Sequence, residues 1–256
     1  AAGSAGQFFV VPLGQGFISA YGWSTALTLL GFMALIMVPL STALTGRSER
    51  GAAFQSAGSA LKEAFTHPSY ILLTLGFFVR GFHVAFIQVH LPPYITDMGL
   101  DAGLAAWALA LVGAANIVGA LTSGMLGARF SKKYLLSGLY FARAVVIALF
   151  VLLPISPASV LIFSAAMGLL WLSTVPLTSG LVAQFFGTRH MAMLFGVVFF
   201  SHQIGSFLGV WLGGYVFDLT GSYDIVWWGS VALGLAAAAV HWPIREAPVA
   251  RLAGAG

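Results

Sequence analysis

The chain has 256 residues, of which 59% are hydrophobic, 7% are charged and none is cysteine. A soluble domain carries about 25% charged residues, so this composition excludes one, and the absence of cysteine excludes disulfides and thiolate metal sites. The formal net charge of +4 calls for a membrane topology rather than a nucleic-acid partner, as the placement of the charges shows below.

Eight apolar segments follow one another, over 3–20, 23–45, 70–95, 102–127, 134–154, 157–186, 191–217 and 224–243. Runs of roughly 20 apolar residues are the length of spanning helices, and the alternation of an outer-membrane barrel is absent. The expected fold is therefore an all-α membrane protein with eight transmembrane helices. The opening stretch AAGSAGQFFVVPL has no initiator Met and no basic leader. It reads as the middle of a helix, so the chain is expected to begin part-way through a larger protein.

In the first segment Gln7 and Gln15 flank Pro12; they serve as glue between helices or touch a cavity. Between the second and third segments lies the polar stretch 46–69, the one break long enough to be a linker. It contains SALKEAF, an amphipathic piece that belongs at the membrane interface.

The third segment contains FFVRGFHVAFIQVHLPPY, residues 77–94. At roughly 100° per residue, Arg80, His83, Ile87, His90 and Tyr94 fall within an arc of about 80°. A charge in mid-helix costs about 2.5–3.5 kcal/mol on insertion scales and so must meet a partner or a wet cavity. Arg80 is read as an anion-binding group or as a structural arginine bonded to carbonyls or to a carboxylate elsewhere. His83 is read as its hydrogen-bonding or proton-carrying neighbour. His90 stands beside Pro92-Pro93, where the helix is expected to break as part of an outer gate.

Further along, Asn116 lies on a face of small residues in the fourth segment, as packing glue or as a hydrogen-bonding wall of a cavity. Arg143 in the fifth is read as structural, packed on a neighbouring helix or reaching toward an interface. The sixth carries Trp171, Thr174 and Thr178 on one side and Pro176, where a kink is expected. The seventh carries His202, a candidate for substrate contact or protonation, beside Gln203. Gly205, Gly209 and Gly213 then follow at the spacing of tight packing.

With eight spans, both chain ends fall on the same side as 46–69. That side holds Arg47, Arg50, Lys62, Arg129, Lys132, Lys133, Arg189, Arg245 and Arg251, nine of the eleven cations. The other side holds Asp97, Asp101, Asp218 and Asp224 and no Lys or Arg. This is the positive-inside pattern and makes the first side, with the C-terminus, cytoplasmic. The remaining cations, Arg80 and Arg143, lie within spans.

Two helices, a polar linker and six more helices resemble the major facilitator superfamily from its fifth helix onward. Gly124-Met-Leu-Gly127-Ala-Arg129-Phe-Ser-Lys132-Lys133 resembles the superfamily's short cytoplasmic loop motif, with Ala128 in place of the usual Asp, which weakens the charge latch expected there. The stretches 213–224 and 67–78 are similar to the monocarboxylate porter and oxalate/formate antiporter branch. The resemblance implies the last two helices of an N-terminal bundle over 1–45, a cytoplasmic linker over 46–69, a complete six-helix C-terminal bundle over 70–245 and a cytoplasmic tail over 246–256. The upstream helices would complete a central cavity that opens alternately to each side. The third, fourth, sixth and seventh segments would supply the cavity residues Arg80, His83, Asn116, Trp171, Thr174 and His202, with His83 and His202 as proton carriers and Pro92, Pro93 and Pro176 as gate elements.

No span contains an Asp or Glu away from its ends. Arg80 thus has no counter-ion in these segments, and a carboxylate suits a guanidinium bidentately. The expected activity is secondary transport of a small organic anion, a monocarboxylate, with a proton as coupling ion, across the cell membrane. An efflux pump or porter for a neutral amphipathic solute is the alternative, and a non-transporting subunit or sensor a third. No nucleotide loop, zinc-protease motif or nucleophile elbow is present, so neither an enzyme nor a bound cofactor or metal is expected.

Overall fold

The computed structural model describes residues 2–36, 39 and 55–253, without the side chains of 2–9, 11, 12, 15 and 19. Gln7, Pro12 and Gln15 therefore lie outside what is described, as do Arg47, Arg50, the end of the second apolar segment and the first part of the expected linker. The chain divides into two compact units, Ala2–Gln55 and Ser56–Gly256.

The first unit is built on α1 (Ala2–Leu35), whose course is interrupted at Gly22 (φ 77°, ψ 164°). That conformation suits glycine, which has no Cβ to clash, and it falls at the Tyr21-Gly22 break expected from the sequence. A Cβ at Gly14 would stand 3.6 Å from Leu30 Cδ1, so the two arms of the helix lie side by side.

The second unit begins with α2 (Ala57–Thr66), capped by the Ser56 hydroxyl on the Ser59 amide at 3.2 Å. Its buried residues Ala60 and Ala64 turn the amphipathic SALKEAF inward. Then come α3 (Pro68–Asp97), α4 (Ala102–Arg129), α5 (Lys132–Leu152), α6 (Pro157–Trp171), α7 (Thr174–Phe186), α8 (Met191–Thr220), α9 (Asp224–His241) and α10 (Ala250–Ala253). Six segments among the described residues are long and apolar enough to cross a membrane, α6 and α7 together forming one of them. These are the six that the sequence places after the linker. The two arms of α1 are not counted among them, so eight spans remain the expectation rather than the observation.

In the second unit α3 packs along α8, α4 along α6 and α5 along α9. The glycine ladder explains the first pairing. A Cβ at Gly205 would run into the Phe78 carbonyl, and one at Gly209 would lie 2.5 Å from the Phe82 oxygen, so only hydrogen lets the backbones come this close.

Two apolar clusters fill the bundle. One gathers Phe86, Tyr94, Phe150, Phe163 and Trp227, and the other Tyr70, Phe77, Leu136, Leu181 and Phe185. On α3, α5 and α8 the buried polar residues Arg80, Arg143 and His202 stand between the stretches that feed the two clusters.

The cap of α5 comes from far along the chain. Ser131 offers that helix no side-chain cap, and Glu246 supplies one by accepting from the Lys133 amide at 2.6 Å and the Ser131 hydroxyl at 2.7 Å. The loop that lacks its usual Asp at Ala128 thus meets a carboxylate from the C-terminal segment. The same segment is fastened by Arg245 N to Ser69 Oγ at 3.0 Å, Val249 N to the Phe185 carbonyl at 3.0 Å and the Arg251–Glu63 ion pair at 2.9 Å.

Candidate functional site

The buried polar layer between the clusters is built first from α3. Arg80 is 3% exposed and His83 fully enclosed. The Arg80 guanidinium bonds the His202 ring, with its Nη1 3.2 Å from Nδ1 and 3.4 Å from Nε2, and lies 5.1 Å from the centre of the Phe77 ring. Arginine can only donate, so one of the two ring nitrogens accepts from it and the imidazole is neutral. The His202 ring is held from its other sides by Phe77 and Phe199, with centroids 5.6 and 5.0 Å away.

The expected stripe on α3 is buried along its whole length, but its residues part company. Arg80 and His90 meet α8, while His83 turns to α9 and bonds the Ser230 carbonyl at 2.8 Å. His90 bonds the Val210 carbonyl at 2.9 Å and packs on Phe86 and Tyr223, away from Arg80.

The break expected at Pro92-Pro93 is not there: α3 continues through both to Asp97. The two carbonyls that lose their partners belong to Gln88 and Val89, both on the exposed side of the helix. The kink expected at Pro176 falls one turn earlier, as a full interruption between α6 and α7 at Leu172-Ser173. Pro176 has no N–H for the Leu172 carbonyl, so the helix is released at that residue.

Neighbouring helices bind the exposed backbone of this interruption. Asn116 Oδ1 accepts from the Leu172 amide at 2.9 Å, and the Ser123 hydroxyl donates to the Ser173 carbonyl. Arg143 donates through Nη2 to the carbonyls of Leu170 and, at 2.7 Å, Trp171, and through Nε to Leu170 at 3.2 Å. Half-helix ends inside a membrane are tolerated where side chains satisfy them in this way.

Arg143 and Arg80 are close enough to act on each other electrostatically, and both act on Tyr140, whose ring lies 5.4 Å from the Arg143 Cζ. No carboxylate joins them: the one ion pair among the described residues is Arg251–Glu63, outside the layer. Among the described residues, buried polar atoms without a hydrogen-bond partner include Arg80 Nε, His83 Nδ1, Tyr140 Oη, Arg143 Nη1, Thr174 Oγ1 and Thr178 Oγ1, besides Ser164 Oγ and Trp227 Nε1. Two cations without a counter-ion, in a region of low dielectric, make a layer complementary to an anion.

This architecture agrees with a family model, described as Major Facilitator Superfamily, that matches residues 1–210. The chain belongs to the Major Facilitator Superfamily. Curated relatives agree. The chain is 27% identical over 242 residues to an uncharacterized MFS-type transporter, YcxA, of Bacillus subtilis, covering 88% of this chain and 57% of that protein. It is 26% identical over 222 residues to rat monocarboxylate transporter 13, covering 85% and 51%. It is 26% identical over 250 residues to Xenopus laevis monocarboxylate transporter 12, covering 85% and 54%. The chain thus spans about half the length of the curated relatives it matches.

Within this superfamily member the structure brings Arg80 and His202 together and links Asn116 with the interruption beside Trp171 and Thr174. Among the expected site residues, His83 joins the layer through α9. The sequence places Ser123 on the small-residue face of Asn116, as packing, and does not single out Tyr140 or Ser230. Tyr140 carried a signal, three residues before Arg143 on one helix face.

Proposed function

We propose that the chain is the C-terminal bundle, with the two helices before it, of a secondary transporter for a small organic anion, a monocarboxylate. The carrying observation is Arg80: a buried guanidinium whose acceptor is a neutral imidazole and which has no carboxylate partner among the described residues. An arriving carboxylate replaces His202 as the acceptor with a much stronger, charge-assisted pair. His202, released from Arg80, is then free to take a proton, which couples anion and proton movement. His83 is the second proton candidate. Thr174 and Thr178 offer free hydroxyls to the guest, and Asn116, Arg143 and Pro176 shape the interrupted helix that carries them. The names of the monocarboxylate transporters among the relatives support the substrate class.

Transport proceeds by alternating access between this bundle and upstream helices. The domain limits remain those expected above: 1–45, 46–69, 70–245 and 246–256. The cation distribution supports a multi-pass protein of the cell membrane with a cytoplasmic C-terminus. The test is uptake of short monocarboxylates by the full-length protein carrying Arg80→Ala or Arg80→Lys. Loss of uptake in the first and a large fall in the second are expected, since Lys lacks the bidentate fork; unchanged uptake in both removes the assigned role. A neutral amphipathic substrate is the second reading, favoured by the aromatic rings of Phe77 and Phe199 around His202. Competition by neutral compounds but not by acids would establish it.

A further inference from the structure

On the outside of the bundle α5 and α9 leave a groove of about 610 Å³ between them, lined by Tyr134, Ser137, Gly138, Phe141, Ala238 and Trp242. Its floor is made of small residues. A Cβ added at Gly138 would meet nothing within 4 Å, so the groove stays open there. The one hydroxyl in the floor, Ser137, is turned away to the Ala238 carbonyl at 2.8 Å, which leaves an apolar surface. The walls are aromatic, and Tyr134 and Trp242 meet edge to face at 5.0 Å.

The groove has one charged end. Lys133 Nζ lies 4.8 Å over the Tyr134 ring, and Arg129, Lys132 and Arg245 belong to the same end of the bundle. Lys132 is engaged with Gln184 at 3.4 Å. The nearby Glu246 carboxylate accepts from the Ser131 hydroxyl and the Lys133 amide through Oε1, and the ion pair among the described residues, Arg251–Glu63, does not involve the Lys133 ammonium. From Tyr134 to Phe141 the groove runs seven residues along α5, about 10 Å at 1.5 Å per residue. Tyr and Trp are the residues that settle at the membrane–water boundary, and basic pockets between helices at that level hold anionic headgroups.

We infer that this groove is a binding site for an anionic phospholipid, with one acyl chain on the floor of small residues and the phosphate at Lys133. A zwitterionic lipid fills the groove equally well but gains less from the cation. The inference needs only that the bundle is embedded in lipid, and it stands or falls separately from the substrate of the transporter.

Native mass spectrometry of the detergent-solubilised full-length protein, titrated with phosphatidylglycerol or phosphatidylcholine of equal chain length, tests it. Phosphatidylglycerol should be retained about fivefold more strongly, the weight of one cation near an anionic surface. Lys133→Gln should bring the two lipids level, Gly138→Leu should weaken both by filling the groove, and Lys62→Gln, which does not line it, should change neither. Gly138 is exposed and has room for a side chain, so that variant should fold. Equal retention of the two lipids by the unsubstituted protein overturns the inference. So does phosphatidylglycerol retention that survives both Lys133→Gln and Gly138→Leu, or a protein dimer cross-linked through Gly138→Cys that excludes lipid from the groove.

Discussion

Arg143 Nη2 donates to the carbonyl oxygen of Trp171 at 2.7 Å, at the point where α6 stops and the chain steps over to α7. The same guanidinium reaches the Leu170 carbonyl with Nη2 and Nε. A membrane helix that stops half-way leaves carbonyls that water cannot reach, and the partial negative charge of the helix end collects there. A fully buried arginine answers both needs. Its charge is spent on backbone, whereas that of Arg80 is met by an imidazole and the Phe77 ring.

Removing the Arg143 guanidinium leaves these carbonyls unpaired. Arg143→Met should cost roughly 2–6 kcal/mol, at about 1–3 kcal/mol for each of the two stranded groups, while Arg143→Lys, which keeps one donor, should cost about half as much. Thermal unfolding of the purified protein in detergent checks this; equal melting temperatures for all three proteins would be against it.

His67 caps α3 by accepting the Tyr70 amide on Nδ1 at 3.3 Å, beside the rings of Phe185 and Phe186. That bond needs the neutral imidazole. Burial lowers the His67 pKa below its ordinary 6.5, outweighing the pull of Glu63 in the other direction. The folded state therefore binds the proton less well than the unfolded state. The stabilisation is complete above pH 6.5 and is lost as pH falls through the lowered folded value. His67→Ala should remove this component, so the difference in melting temperature between the two proteins should shrink from pH 7.5 to pH 5. A difference that does not change with pH would contradict the assignment.

Glu246 holds the first turn of α5 from the far end of the chain. Glu246→Ala should release the Lys133 amide, at a cost of roughly 0.5–2 kcal/mol, the range for a lost N-terminal cap. Glu246→Gln, which keeps an acceptor but not the charge, should lie between. Hydrogen exchange of the peptide that contains Lys133 reads the difference; unaltered exchange in the Ala variant would show the contact to be dispensable.

Gly209 sits where α8 touches the α3 backbone at Phe82. Gly209→Val should force the two helices apart and lower stability by about 1–3 kcal/mol, the usual cost of overpacking. Gly196 has no neighbour within 4 Å of an added Cβ, so Gly196→Ala should be tolerated, and the contrast between their melting temperatures tests the close approach.

The six later spans were legible because each is a long apolar run punctuated by turn residues, which is a local signal. The hairpin in α1 was legible for the same reason, at Gly22. What each polar residue touches was not. The periodicity that put Arg80, His83 and His90 on one stripe is a property of α3 alone, and says nothing of whether α8 or α9 lies opposite. Pro176 announced a disturbance, but its missing N–H acts four residues upstream, so the interruption appears at Leu172-Ser173. Pro92 and Pro93 announced one that did not occur, because the carbonyls they free are on the exposed side. Glu246 replaces a missing Asp across more than a hundred residues of sequence, and no local pattern could carry that.

The most direct test of the account is to compare a short monocarboxylate with its primary amide as substrates of the full-length protein in proteoliposomes, with and without Arg80→Gln. The two solutes share size and shape and differ in the charge that Arg80 is argued to meet. The account predicts strong preference for the acid, and a loss of roughly 3–5 kcal/mol, about 10²–10⁴-fold, in acid uptake on substitution, the cost of stripping one member from a buried charge pair. Amide uptake should hardly change. Equal uptake of acid and amide by the unsubstituted protein, or acid uptake that survives Arg80→Gln, would contradict it.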